Sequence, residues 1–293
     1  MSALVLLCVI VLTGGVVRLT GSGLGCTDWP NCSDDRLVDV SDAHSAIEQI
    51  NRLFTFVVCI GVALAAIAAR YRRPRRRDLT VLSLLMLLGV PAQGIVGAIV
   101  VWTEVNPFAV QWHMFLSLIL IWIATVMIVR SREPDGGVRT AAVARPVRAR
   151  VRLLTVMTAL TVVAGTVVTG TGPHAGDEEA KRFFGTAADI DGDALVWATR
   201  VHGTLVWLTV ASALWLMWSV RNRHEDRTAL SAPLTAWMLI AVGQGTIGYV
   251  QYAAGLPVVL VAAHLVGATL LTASTAWMWC STSRVLAPPD SSA

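Results

Sequence analysis

"QGIVGAIVVWTEVNPFAVQWH", residues 93–113, has a second copy later in the chain, "QGTIGYVQYAAGLPVVLVAAH", residues 244–264. Both copies run the same length from a glutamine to a histidine. Gln93, Gly94, Gly97 and His113 fall on Gln244, Gly245, Gly248 and His264 at a shift of 151 residues. The same shift, without a gap, carries Gly14, Val16, Val17, Thr20 and Gly21 onto Gly165, Val167, Val168, Thr171 and Gly172. It also carries Asn51 onto His202. One offset that holds in four separate apolar segments marks an internal duplication.

Of the 293 residues, 55% are hydrophobic and 14% charged, against roughly 25% charged in soluble domains. The chain therefore reads as an integral membrane protein. A span needs about 20 apolar residues. Eight runs qualify: 2–17, 45–69, 79–101, 107–129, 153–170, 194–220, 230–252 and 257–280. The first is short and starts at Met1. It lacks the basic start and the small-residue cleavage site of a signal peptide, so it counts as a retained span. The offset joins helices of the same direction, which makes the repeat parallel, with its pseudo-axis along the membrane normal. The expected fold is all-α, with eight transmembrane helices in two pseudo-symmetric four-helix bundles. Residues 1–129 form the N-terminal half, 130–152 a basic linker, 153–281 the C-terminal half and 282–293 a tail.

Loop charge gives the orientation. Loop 70–78 holds six arginines and one aspartate, 130–152 seven arginines, and 221–229 three. They alternate with acidic loops at 18–44 and 171–193. The positive-inside rule puts the basic loops and both termini in the cytoplasm and the acidic loops outside, in a cell membrane. The net charge of +4 is a topology signal and implies no nucleic acid. Cys8, Cys59 and Cys280 lie in apolar helices and read as small buried hydrophobes. Cys26 and Cys32, in "GCTDWPNC", lie in the first outer loop, where disulfides persist. The Trp29-Pro30 turn can close a bridge between them.

The Gln-Gly-x-x-Gly segments let helix backbones approach or let a flat ligand lie against them; packing is the expected role of each glycine taken singly. Their glutamines need partners when buried. His224 reads as a loop residue, and His44 and His174 lie near the outer surface. His113, His202 and His264 each lie inside an apolar helix, roughly 9–12 Å below its outer end at ~1.5 Å per residue. Asn51 is the fourth member of that set. A lone histidine in a membrane helix often serves as hydrogen-bonded glue, but three at repeat-equivalent depth point to a metal centre between helices. A zinc site is under-supplied with ligands here. Bis-imidazole ligation of a haem iron needs only two ligands and an apolar slot, which His202 and His264 can provide. The N-terminal half offers His113 and, opposite, an amide that is a poor iron ligand. It also has Glu48 one turn from Asn51 on the same face. An open iron site beside a carboxylate suits a reaction better than simple electron transfer.

With these residues in view, the chain resembles the haem A synthase family. The resemblance rests on "GGVVRLTGSGLGCTDWPNC", "IEQINR", "QWHMF" around His113, "TGTGPHAGD", "RVHGT" around His202 and "VAAHLVGAT" around His264. It covers nearly the whole chain. It implies an eight-helix membrane oxidoreductase that converts the C8 methyl of haem O to a formyl group, making haem A for cytochrome oxidase. The proposed route in the family is two hydroxylations and loss of water from a geminal diol. The resemblance further implies haem b in the C-terminal half on His202 and His264, and haem O in the N-terminal half with His113 as ligand or contact. Many members carry Glu-x-x-His-Arg in the second helix. Here Glu48 and Arg52 match and Asn51 replaces the histidine. The cysteine pair matches as a disulfide with a role in haem O handling.

For Glu48 the residues alone leave two roles open: proton transfer or stabilisation of a cationic carbon, and an i, i+4 ion pair with Arg52. The resemblance favours catalysis. Arg52 and Arg18 are candidate propionate contacts. Candidate partners are haem O, the lipid bilayer, a haem O synthase, an electron-transfer protein and a second copy of the chain. Two other readings stand beside this one: a haem b electron-transfer protein linked to quinol, and a non-catalytic haem-binding assembly factor.

Overall fold

The computed structural model describes residues 1–177, 180–184 and 192–286. In chain order the elements are α1 (Ser2–Leu19), α2 (Ala43–Tyr71), α3 (Arg77–Trp102), α4 (Pro107–Ser131), β1 (Val138–Ala141), α5 (Arg145–Thr171), α6 (Asp193–Val220), α7 (His224–Ala253), α8 (Val258–Cys280) and β2 (Ser283–Leu286). All eight helices are long and apolar enough to cross a membrane, as expected of a multi-pass membrane protein. Their outward faces carry residues such as Phe56, Ile60, Leu64, Leu88 and Leu239, which lipid covers at no cost in exposed apolar surface.

Each half closes on itself. Helix α1 packs on α2, α2 on α3, α3 on α4 and α4 back on α1, and the same ring joins α5 through α8. Leu7, Val58, Val62, Met86 and Ile121 fill the first core. Val151, Leu154, Leu216, Leu230, Trp237 and Met278 fill the second. A seam joins the halves where α8 lies against α4 and α1, and α4 against α5. Leu265 of α8 reaches Gly15 of α1, where any side chain would collide with it.

The quoted stretch and its copy fold alike. The turn after α3 has two consecutive residues in the left-handed region, Glu104 (φ 54°) and Val105 (φ 57°); the turn after α7 has Gly255 (φ 75°) and Leu256 (φ 61°). The closing hydrogen bonds also correspond: Val105 N–H donates to Val100 O at 2.8 Å, and Leu256 N–H to Gln251 O at 2.7 Å. A β-branched residue is rarely left-handed. Val105 is held there by burial, being 3% exposed and packed with Ala175 and Ala180. Above it the two long connections touch, where Gly23 N–H donates to Gly176 O at 3.0 Å. A Cβ on Gly176 would stand 2.7 Å from Val105 Cγ1.

Several boundaries differ from the sequence reading. Helix α5 begins at Arg145, not 153, so four arginines of the expected linker are helical. The buried Asp226 of α7 accepts from Ala144 N–H at 2.8 Å and anchors that start. His224 opens α7 instead of lying in a loop, and Arg18 lies in the last turn of α1 instead of following it. The all-α expectation gains a small exception, because linker and tail form an antiparallel ribbon. Val138 faces Leu286 and Ala141 faces Ser283. Arg139 secures the ribbon by donating to Glu133 Oε1 and Ser283 Oγ, each at 3.0 Å. Of the acidic loop, Glu178, Glu179, Asp189 and Asp191 lie outside the described residues, as does the tail beyond residue 286.

Candidate functional site

Helices α6 and α8 bring the rings of His202 and His264 next to each other. Their ring centres are 6.5 Å apart with planes at 80°. His202 Nδ1 lies 3.0 Å from Thr161 O on α5. A carbonyl only accepts, so Nδ1 carries the proton and Nε2 keeps its lone pair. That second bond is what orients a metal-bound imidazole. Gln244 Nε2 donates to His264 O at 2.9 Å, tying α7 to the turn that carries the ring. Glycines clear the space behind both rings. A Cβ on Gly165 would stand 3.1 Å from His202 Cε1, and one on Gly248 3.3 Å from His264 Cε1. A metal held by both Nε2 atoms at about 2.0–2.1 Å separates ring centres by about 6.3 Å. The observed 6.5 Å is close to that spacing.

The N-terminal half repeats this scaffold. Gln93 Nε2 donates to His113 O at 3.2 Å and to Ser117 Oγ at 2.5 Å. A Cβ on Gly97 would lie 3.5 Å from His113 Cε1. These glutamine contacts supply partners that the sequence could not name. Gly14 faces Asn51 as Gly165 faces His202: a Cβ there would lie 3.8 Å from Asn51 Oδ1. Thr13 Oγ1 lies 2.8 Å from Asn51 Oδ1 and 3.1 Å from Ile10 O. The sequence reading passed over Thr13, whose repeat equivalent is Ala164. Inspecting the neighbours of the one mismatched ligand position would have found it.

Above Asn51, at the acidic end, Glu48 is 5% exposed and both its oxygens are engaged. Oε1 accepts from Arg52 Nε at 3.0 Å and Nη2 at 2.6 Å. Oε2 accepts from Cys26 N–H at 2.8 Å. Arg52 Nη1 donates to Asp28 O and Asn31 O, each at 3.0 Å. Four of the five guanidinium N–H groups are thus spent within the protein, which leaves little for the expected substrate contact. Glu48 and Arg52 grip the loop closed by the Cys26–Cys32 disulfide. Asp42 starts α2 beneath that loop, accepting from His44 N–H at 2.9 Å and Ser45 N–H at 3.1 Å. The Ser45 hydroxyl and amide hold the Asp42 carboxyl below the usual carboxylate range.

Arg18 stands apart from this cluster, at the seam. Its Nε is buried without a hydrogen bond. Its Nη2 would lie 3.7 Å from a Cβ on Gly170 of α5. A cation so placed can serve an anion bound to either half.

Residues 1–175 match the COX15-CtaA family, described as cytochrome oxidase assembly protein. The haem A synthase of Geobacillus thermodenitrificans is 35% identical over 136 residues, 45% of this chain and 42% of that protein. That of Exiguobacterium sibiricum is 25% identical over 236 residues, 80% of this chain and 77% of the relative. That of Rhodopseudomonas palustris is 29% identical over 318 residues, 87% and 81% of the two chains. Against the two Geobacillus relatives the chain spans only 42% and 38% of their length.

Proposed function

Because the chain belongs to the COX15-CtaA family of cytochrome oxidase assembly proteins, we propose that it acts as a haem A synthase, oxidising the C8 methyl of haem O to a formyl group. The observation that carries this reading is the His202–His264 pair, whose 6.5 Å separation suits a single iron with two imidazole ligands. Haem b is the cofactor assigned to that pair and would supply one-electron transfer. Thr161 O fixes the His202 tautomer for it, and Gln244 fixes the turn of His264. Haem O is the substrate of the N-terminal half, with His113 on one face and Asn51 on the other. The acidic end, which carries the disulfide loop, faces outward, and the arginine-rich end faces the cytoplasm. Arg18, a half-buried cation whose buried Nε is unspent, is assigned to a haem propionate.

Glu48 is the carboxylate closest along the chain to Asn51, and we keep it as the residue that moves a proton or steadies positive charge at the oxidised carbon. Its bonds to Arg52 and Cys26 tie that task to the disulfide loop. Arg52 is assigned to holding the loop, not the substrate. Expression beside a haem O synthase, followed by chromatography of the extracted haems, tests the reading. Haem A is expected. Recovery of haem O alone from folded protein that holds haem b would instead favour a haem-binding assembly factor.

A further inference from the structure

We propose that Thr13 and Asn51 make the N-terminal slot a binding site for a small exogenous ligand. The ligand class is an uncharged diatomic or water-sized molecule whose outer atom accepts a hydrogen bond from Asn51 Nδ2. This inference rests on the haem reading above.

The two halves differ here by a matched pair of exchanges. In the C-terminal half His202 Nδ1 bonds the carbonyl of Thr161, and position 164 is alanine. In the N-terminal half the equivalent carbonyl, Ile10 O, lies beside Thr13 Oγ1 at 3.1 Å, and that oxygen lies 2.8 Å from Asn51 Oδ1. Where the imidazole is shortened to an amide, alanine is lengthened to threonine, and the hydroxyl fills the gap between carbonyl and amide. With its one proton on the nearer acceptor, Asn51 Oδ1 at 2.8 Å and not Ile10 O at 3.1 Å, Thr13 turns Nδ2 the other way. Among the described residues Nδ2 has no hydrogen-bond partner. An amide N–H has no lone pair to give iron, and the shorter side chain stops short of the depth that His202 Nε2 reaches. Gly14 leaves the amide room, with 3.8 Å from a Cβ to Oδ1 and 4.0 Å to Nδ2. Asn51 on α2 and His113 on α4 hold the repeat positions of His202 on α6 and His264 on α8. By that correspondence one face of the slot offers an imidazole and the other a hydrogen-bond donor in place of a ligand. Thr13 is a positioning residue and acts through Asn51.

The test uses the full-length protein carrying haem in both halves, reduced and exposed to carbon monoxide, with the C–O stretch read by infrared spectroscopy. One haem of the two should bind carbon monoxide, because the bis-imidazole site has no free face. The stretch should lie lower than in Asn51→Leu, which binds the gas without a donor. Asn51→His should abolish binding by adding a second imidazole. Thr13→Val should still bind, with its stretch moved up toward that of Asn51→Leu. An unchanged stretch in Thr13→Val overturns the role of Thr13, and a wild-type stretch equal to or higher than that of Asn51→Leu overturns the donor. The bis-imidazole spectrum of the C-terminal half monitors folding in every variant. Failure of the haem reading itself looks different: a single haem per chain in wild type, or undiminished binding in His113→Ala.

Discussion

Gly165 and Gly248 lie behind the two imidazoles, and their replacement is a sharper probe of the site than removal of the rings. Alanine at either position puts a methyl 3.1 or 3.3 Å from a ring carbon, so the ring must tilt. Gly165→Ala and Gly248→Ala should both shift the low-spin haem spectrum, while Gly94→Ala, with nothing within 4 Å, should leave it unchanged. His264→Ala should lose that spectrum altogether. Glu48→Gln should keep it and lose haem A output; full output from that variant would remove Glu48 from the reaction. Arg52→Ala leaves a buried carboxylate unpaired, at a cost of about 3–5 kcal/mol. Limited proteolysis should then cut within residues 26–32 before anywhere else. At this scale the sequence was readable wherever a residue has a repeat equivalent. The histidines, Asn51 and the glutamines all stood out by register. The loop partners of Glu48 and Arg52 did not, because the Cys26 amide bound by Glu48 and the Asp28 and Asn31 carbonyls bound by Arg52 come from a loop with no periodic signal.

At the level of elements, helix α2 offers a prediction in pH. The Asp42 carboxyl lies below the usual carboxylate range because Ser45 bonds its charged form. A group depressed in this way contributes its full cap above about pH 4, the unfolded value, and loses it as pH falls through the lower folded value. The protection factors of the His44 and Ser45 amides, taken against the intrinsic exchange rate at each pH, should therefore stay high at neutral pH and drop only on strong acidification. In Asp42→Ala they should be low throughout. Apolar run length located all eight spans, but it placed the start of α5 eight residues late. The run ends where the bilayer does, whereas the backbone continues helical through Arg145–Arg152 because Asp226 receives the Ala144 amide. Such a tertiary contact leaves no mark in local composition. The ribbon of β1 and β2 was hidden for the same reason, since its strands are four residues each and their paired ends, Ala141 and Ser283, lie 142 positions apart with the C-terminal half between them.

For the molecule as a whole, the duplication was legible but the seam was not. A repeat specifies each ring of four helices and says nothing of which edge meets its copy. The seam carries a hydrogen bond without an equivalent elsewhere, from Gln111 Nε2 of α4 to Thr166 Oγ1 of α5 at 2.8 Å. A double-mutant cycle with Gln111→Leu and Thr166→Val should return a coupling of about 0.6 kcal/mol, the usual size for such bonds in membranes. The crossing of the two long connections above Val105 has a further use. Among the described residues one backbone hydrogen bond joins them, from the Gly23 amide to Gly176 O. That single proton is a gauge of the gap between the halves at their acidic end. Its exchange with deuterium measures how often the two connections part, independent of any haem, and a swap of Val105 for a residue that relaxes the left-handed turn would read out there first.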